Sequence, residues 1–152
     1  MSIDPIRKQV TVQASPEKAF EVFTDGIGRW WNPEYSIGKE PYATTVIEPR
    51  AGGRWYESGE SGGECEWGRV LVWQPPLRVV LDWQINGSWQ FDVNVHTELE
   101  VCFVADGEQT RVELEHRGLD ALGTEGAVMR GIFDSPAGWV GLLDRYAGAI
   151  AG

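Results

Sequence analysis

Residues 43–116 contain a succession of short segments in which every second residue is apolar, and this pattern restricts the chain to few folds. Successive side chains of a strand point to opposite faces, so each row of alternate apolar residues predicts a strand with one buried face. The two clearest rows are Val79, Leu81, Trp83 and Leu99, Val101, Phe103. Antiparallel strands of this kind must be covered on the buried face by another element.

The pattern predicts one strand near the start of the chain and about six more in a run. The predicted strands are Ile6–Val12, Ala43–Glu48, the short segment Trp55–Tyr56, Glu64–Trp73, Arg78–Gln84, Val95–Val104 and Thr110–His116. A helix is predicted after the first strand, because Ser15 can cap its free amides and Pro16 suits its first turn. The Asn86–Ser88 segment is a turn signal.

Only one later segment is long enough to cover the sheet. A second serine–proline pair at Ser135 predicts a helix with Ser135 as its cap. Its apolar residues recur at the spacing of one helical face: Trp139, Leu142, Leu143, Tyr146 and Ile150. A curved sheet wrapped around one long C-terminal helix leaves space between the two, which predicts an internal cavity.

Composition narrows the classes of function. The chain of 152 residues carries a formal net charge of −10, which repels phosphate backbones, so no nucleic-acid partner is expected. No apolar run approaches the ~20 residues of a membrane-spanning helix, so no membrane insertion is expected. Cys65 and Cys102 lie far apart without a CxxC context, which favours a cytoplasmic location over a disulfide framework. The eight tryptophans indicate an aromatic core or an aromatic-lined cavity.

Five segments, in order along nearly the whole chain, resemble one family. They are SPEKAFEVFT followed by WW, EPRAGGRWYE, WGRVLVWQPPLRVVLDW, TRVELEHRGL and GWVGLLDRYAGAI. The chain is therefore similar to START-like (SRPBCC) domains of the branch homologous to the activator of Hsp90 ATPase. The resemblance implies a single α+β domain over residues 1–152 with a helix-grip fold. That fold is a curved antiparallel sheet of six or seven strands around a long C-terminal helix, with an internal cavity.

The wider superfamily includes lipid and hormone carriers, cyclases and co-chaperone domains, so the fold alone does not fix the function. No catalytic signature of the branch can be placed on this sequence. We expect a binding protein that holds a small hydrophobic or aromatic molecule. The residues predicted to line its cavity are Trp55, Trp83, Leu99, Val101, Phe103, Leu114, His116, Trp139 and Leu143.

Few residues are candidates for a catalytic role. His96 is in phase with Glu98 and should face solvent, whereas His116 continues the inward row of Leu114. A histidine at the end of such a row is either a core residue or a polar anchor for a ligand. No metal-binding cluster, phosphate loop or cofactor motif is present, so no metal and no cofactor are expected. Glu64 and Glu66 share one face of a strand, but parity alone leaves either face of residues 64–73 inward.

Two alternatives to simple ligand binding stay open. One is a cyclase- or hydrolase-type enzyme that uses a single buried polar group, for which His116 is the candidate. The other is a chaperone-binding module, which requires an exposed apolar patch. The doublet Trp30–Trp31 is the obvious sequence for such a patch, although two tryptophans at the rim of a core are the simpler interpretation.

Overall fold

A curled antiparallel sheet of seven strands forms the centre of the computed structural model, which describes residues 3–151. The strands are β1 Ile6–Val12, β2 Tyr42–Ile47, β3 Arg54–Gly59, β4 Glu64–Gln74, β5 Arg78–Trp83, β6 Thr97–Asp106 and β7 Gln109–Arg117. Their order across the sheet is β1-β7-β6-β5-β4-β3-β2, and every neighbouring pair is antiparallel. The predicted α+β helix-grip class is confirmed.

The helices are gathered against one face of this sheet. They are α1 Pro16–Thr24, α2 Ile27–Trp30, α3 Gly126–Asp134 and α4 Gly141–Ala151, with 3-10 segments at Pro33–Tyr35 and Leu119–Glu125. The predicted cap of α1 is confirmed, because the Ser15 side chain accepts a hydrogen bond from the backbone N–H of Lys18 at 3.2 Å. Helix α4 contacts α1, α2 and β1, so the C-terminal helix covers the sheet as expected.

The C-terminal helix is broken near its start. Residues Pro136–Val140 form a π turn with non-helical backbone angles at Gly138, and α4 begins only at Gly141. A Cβ at position 138 would lie 2.2 Å from the carbonyl oxygen of Phe133, so the close backbone approach requires glycine. Ser135 occupies the predicted cap position, but its side chain makes no capping hydrogen bond, because its hydroxyl donates backward to the carbonyl of Ile132 at 2.6 Å. The predicted buried stripe is correct from Trp139 to Tyr146.

Strand β4 does not have a single inward parity. The register with β3 leaves Trp67 as an extra residue, and the register with β5 leaves Leu71 as another. Each such bulge reverses the alternation of faces that follows it. As a result Trp67 and Leu71 lie in different environments although they have the same parity in the sequence. Trp67 is buried, whereas Leu71 is 41% exposed.

The inward rows of β5, β6 and β7 fill most of the space under the helices. Phe103 packs edge-on against Phe20 and Phe23 of α1, and Phe23 packs against Tyr146 of α4. This end of the interior is therefore packed with aromatic side chains. Within residues 3–151, no helix is both long enough and apolar enough to cross a membrane.

Candidate functional site

A cavity of about 410 Å³ lies at the other end of the interior. It is bounded by the ends of β4 and β5, the loop after β5, the segment before β2, α3 and the π turn. The residues on its wall are Trp31, Glu34, Tyr35, Ser36, Ile37, Trp67, Trp83, Ile85, Trp89, Ile132, Phe133, Ala137, Gly138, Trp139 and Leu142. The volume falls within the range of about 300–1,000 Å³ that small-molecule sites occupy.

Five of the eight tryptophans line this cavity. The ring centroid of Trp31 lies 5.0 Å from that of Trp67 and 6.1 Å from that of Trp139. Trp83 packs edge-on against Trp139 at 5.7 Å. Such tilted and edge-to-face contacts are the favoured arrangement of aromatic pairs and hold the rings in place. The wall is therefore a fixed set of large, flat apolar surfaces.

The mouth of the cavity is marked by Trp89 and Ile132, each of which is 41% exposed. Trp89 has a φ of 58°, which is unusual for a residue with a large side chain. The turn that holds it there is ordered, because the Asn86 side chain accepts hydrogen bonds from the backbone N–H groups of Ser88 and Gln90. The indole packs edge-on against Phe133 at 6.1 Å. The loop after β5 thus places one aromatic ring at the entrance.

His116 is fully buried behind the wall and does not line the cavity. Its Nδ1 accepts a hydrogen bond from Trp139 Nε1 at 3.2 Å, so its Nε2 carries the proton and donates to the Thr97 hydroxyl at 2.9 Å. Thr97 in turn donates to the carbonyl of Trp83 at 3.0 Å. Burial lowers the pKa of the ring from 6.5 to about 3. Both nitrogens are used inside the protein, and the ring fixes two cavity tryptophans in place.

Glu57 is a second buried polar residue, and it lies directly behind the wall with only 2% of its surface exposed. Its Oε1 accepts hydrogen bonds from the backbone N–H of Ile37 at 2.7 Å and from Trp67 Nε1 at 3.2 Å. Its Oε2 accepts a short hydrogen bond from the Ser36 hydroxyl. Each of these three donors belongs to a residue on the cavity wall. One carboxylate therefore ties together the segment before β2 and strand β4.

Of the nine residues predicted to line a cavity, the structure places Trp83 and Trp139 on its wall. The others are buried in the core beside or beyond it: Trp55, Leu99, Val101, Phe103, Leu114, His116 and Leu143. The inward rows were read correctly as buried. Phe103 of the β6 row packs against α1, and only Trp83, at the end of the β5 row, lies on the cavity wall.

Sequence reasoning missed the wall contributed by residues 34–37 and the carboxylate behind it. A signal for Glu57 was available, because it has the same parity as Trp55, and both are buried on the inward face of β3. The residues of segment 34–37 carry no periodic pattern. No pattern in the sequence therefore pointed to Ser36.

The remaining candidates take structural roles at the surface or in the core. Glu64 and Glu66 both form ion pairs with Arg54, at 2.8 and 2.9 Å. His96 is solvent-exposed as predicted and lies 2.7 Å from Asp82 Oδ2. Within residues 3–151, no group of three or more histidine, cysteine, aspartate or glutamate side chains is arranged to hold a metal ion.

The Trp30–Trp31 doublet is not an exposed patch. Trp30 and Trp31 are 2% and 4% exposed, and the Trp30 indole donates to the carbonyl of Val22 at 3.0 Å. The interpretation of these residues as part of the core is correct. The one surface that the sequence offered for a chaperone is therefore inside the protein.

Comparison with known proteins adds three findings. The sequence profile of the activator of Hsp90 ATPase homologue 1-like proteins matches residues 13–145. The anthrahydroquino-γ-pyrone synthase Txn09 is 40% identical, with a TM-score of 0.66 over 97% of both chains. The self-sacrificing resistance protein CalC from Micromonospora echinospora is 34% identical, with a TM-score of 0.71 over 96% of this chain and 93% of CalC.

More distant structures share the fold alone. The Aha1 dimer from Colwellia psychrerythraea is 19% identical, with a TM-score of 0.64 over 97% of this chain and 96% of that chain. A search of curated proteins found no match.

Proposed function

This chain belongs to the family of activator of Hsp90 ATPase homologue 1-like proteins, and we propose that it binds a planar, fused-ring aromatic molecule in its tryptophan-lined cavity. The observation that carries this proposal is the set of five tryptophan rings around a space of about 410 Å³. Flat aromatic surfaces recognise flat aromatic ligands through stacked and edge-to-face contacts. Few polar side chains reach the wall, which suits a ligand with a largely apolar body.

The name of one relative supports this class of ligand. Txn09 is named as a synthase of an anthrahydroquino-γ-pyrone, which is a fused-ring, oxygen-bearing aromatic. CalC, in contrast, is named as a resistance protein. The two relatives above 30% identity therefore have different functions although they share one fold. Function lies in the site rather than in the fold. We therefore take the shape and aromatic character of the cavity, not either relative's activity, as the basis of the proposal.

A second candidate is an enzyme that converts the bound ring compound, by cyclisation for example. It is favoured by Glu57, a buried carboxylate one hydrogen bond away from a hydroxyl on the cavity wall. A positioned carboxylate can accept a proton from a bound molecule through such a hydroxyl. Chromatography of a fused-ring phenol after incubation with the protein separates the two candidates, since a carrier returns the compound unchanged.

Binding is tested with 2-hydroxyanthracene as the probe. We expect saturable quenching of tryptophan fluorescence, together with energy transfer to the anthracene ring. Trp89→Ala should weaken binding roughly 10-fold, the loss expected for one aromatic contact of about 1–1.5 kcal/mol. Because Trp89 is partly exposed, the substitution should leave the unfolding midpoint nearly unchanged.

Val93→Ala is the matched control for this measurement. Val93 lies on the same loop, is 65% exposed and does not line the cavity, so its replacement should leave the affinity for 2-hydroxyanthracene unaltered. Equal losses in both variants would show that the ring does not enter past Trp89. An unquenched wild-type protein would reject the proposal.

A further inference from the structure

We infer that Ser36 and Glu57 form a polar anchor that makes the cavity select ring compounds carrying a hydroxyl donor, such as phenols and hydroquinones. The inference rests on the proposed function, because it assigns an orientation and a chemical class to the molecule in the same cavity. It concerns hydrogen bonding only, and no covalent step is involved.

The carboxylate of Glu57 is placed directly behind the cavity wall. Glu57 is buried on the inward face of β3, and all three of its hydrogen bonds come from residues of the cavity wall. Two of those donors, the Ile37 N–H and the Trp67 indole, share Oε1. Only the third, the Ser36 hydroxyl, is bonded to Oε2. The two oxygens therefore differ in their partners. Oε1 holds the backbone of Ile37 and the Trp67 indole in place, whereas Oε2 accepts from the Ser36 hydroxyl.

The direction of the Ser36 hydrogen bond follows from the two groups that form it. A hydroxyl has one proton and two acceptor lone pairs, whereas a carboxylate can only accept. The proton of Ser36 is therefore committed to Glu57. Ser36 can therefore offer a ligand only the lone pairs of its oxygen. The hydrogen bond that Ser36 donates to the Glu57 carboxylate makes this oxygen a stronger acceptor. The ligand must supply the proton.

The other polar side chains on the wall also bear on the choice of ligand. The hydroxyl of Tyr35 is already bonded to the carbonyl of Ala137, and the indole N–H of Trp139 is bonded to His116. The indole nitrogens of Trp31 and Trp83 have no hydrogen-bond partner among the described residues, but they are buried with almost no accessible surface. Glu34, near the mouth, is again an acceptor. The indole N–H of Trp89 is a donor, but it belongs to the partly exposed residue at the mouth. The accessible polar side chains deeper in the wall present acceptors, which favours a ligand that carries O–H donors over one that carries carbonyl oxygens alone.

Glu57→Gln reverses the direction of this hydrogen bond with little change in shape. The amide oxygen can keep the Oε1 position, where it accepts from Ile37 and Trp67. The amide nitrogen then takes the Oε2 position and donates to Ser36. The Ser36 proton is released and can point at the ligand, so the anchor changes from an acceptor into a donor.

The experiment compares three probes on one ring system: 2-hydroxyanthracene, 2-methoxyanthracene and 2-acetylanthracene. Wild-type protein should bind the hydroxyl compound about 10-fold more tightly than the methyl ether, the usual worth of one buried hydrogen bond. Ser36→Ala should remove this preference. Glu57→Gln should make the acetyl compound the best of the three. Ser58→Ala and Glu113→Gln, on residues away from the cavity, should keep the wild-type order.

The outcomes separate the two proposals. Wild-type protein that binds all three probes equally, with no change in Ser36→Ala, would overturn the anchor and leave ring binding standing. Failure of every probe to bind would overturn both. If circular dichroism shows that Glu57→Gln is unfolded, the order of affinities in Ser36→Ala decides the matter alone, because Ser36 is only partly buried and its replacement removes no core volume.

Discussion

Replacement of Trp139 by alanine is expected to lower the free energy of unfolding by about 3–5 kcal/mol, the usual cost of truncating a buried tryptophan. Trp139 is 2% exposed and its ring contacts Trp31, Trp83 and His116. Its indole also donates to His116, so the substitution leaves a buried acceptor without its partner. The loss is a large share of the roughly 5–15 kcal/mol that stabilises a typical domain.

Chemical denaturation monitored by far-ultraviolet circular dichroism measures this loss. Asp144→Ala is the control, because Asp144 lies on the exposed side of α4, and such surface changes usually stay within about 0.5 kcal/mol. Trp139→Ala should also abolish binding of 2-hydroxyanthracene if the protein remains folded, since the ring is part of the cavity wall. Similar midpoints for the two variants would mean that the phase of the C-terminal helix is wrong.

Acidification is expected to destabilise the protein well before its carboxylates become protonated, because of His116. Burial lowers the pKa of this ring from 6.5 to about 3. Between these pH values His116 binds a proton in the unfolded chain but not in the folded protein, so the free energy of unfolding rises with pH. The contribution of the neutral ring is fully present above pH 6.5 and is lost as the pH falls toward 3. Linkage gives about 2 kcal/mol between pH 6.5 and pH 4.5.

This pH range separates His116 from the acidic residues. The hydrogen bond from Arg117 lowers the pKa of Glu100 from its ordinary 4.5, so the stability that this carboxylate contributes is lost at more acidic pH than the contribution of the histidine. Denaturation midpoints measured from pH 7 to pH 4.5 should therefore report the histidine. His116→Gln should be less stable at pH 7, because an amide cannot replace both ring hydrogen bonds, and its stability should depend less on pH.

His96→Gln is the control for this series. His96 lies at the surface and bonds to Asp82 rather than to Thr97 or Trp139, so its replacement should leave the contribution of the buried His116 ring in place. The same dependence in wild type and His116→Gln would contradict the burial of a neutral ring at position 116. Unchanged stability in His116→Gln at pH 7 would contradict the hydrogen bonds that join it to Thr97 and Trp139.

Local periodicity was sufficient to predict the sheet and its inward residues in several strands. In β6 and β7 the inward residues alternate with more exposed ones, and β6 pairs with both β5 and β7 without a bulge. In β5 the residues between the inward ones, Val80 and Asp82, are buried as well. The burial of His116 follows from its place in the β7 row. The buried stripe from Trp139, in the π turn, to Tyr146, in α4, follows in the same way from helical spacing. These properties depend on neighbours a few residues apart.

Strand β4 shows where periodicity fails. Whether Trp67 points inward depends on how many residues of β3 and β5 lie opposite it, and two bulges change that count. A bulge is a property of strand pairing rather than of one strand's composition. Parity alone therefore could not decide which residues of the segment 64–73 face the interior. The pairing of β4 with β3 and β5 decides it.

The sequence by itself determined the order of strands and helices and the buried rows, because burial follows from the spacing of apolar residues, and its resemblance to START-like domains implied the helix-grip fold. The tertiary structure decided where the cavity lies. That position depends on a break in the C-terminal helix at Gly138, on an aperiodic segment around Ser36 and on a loop that carries Trp89. It also brought Glu57 to Ser36, 21 positions away in sequence. A cavity is the space that packed side chains leave unfilled. Its position therefore depends on how residues distant in the sequence pack together, which local patterns do not contain.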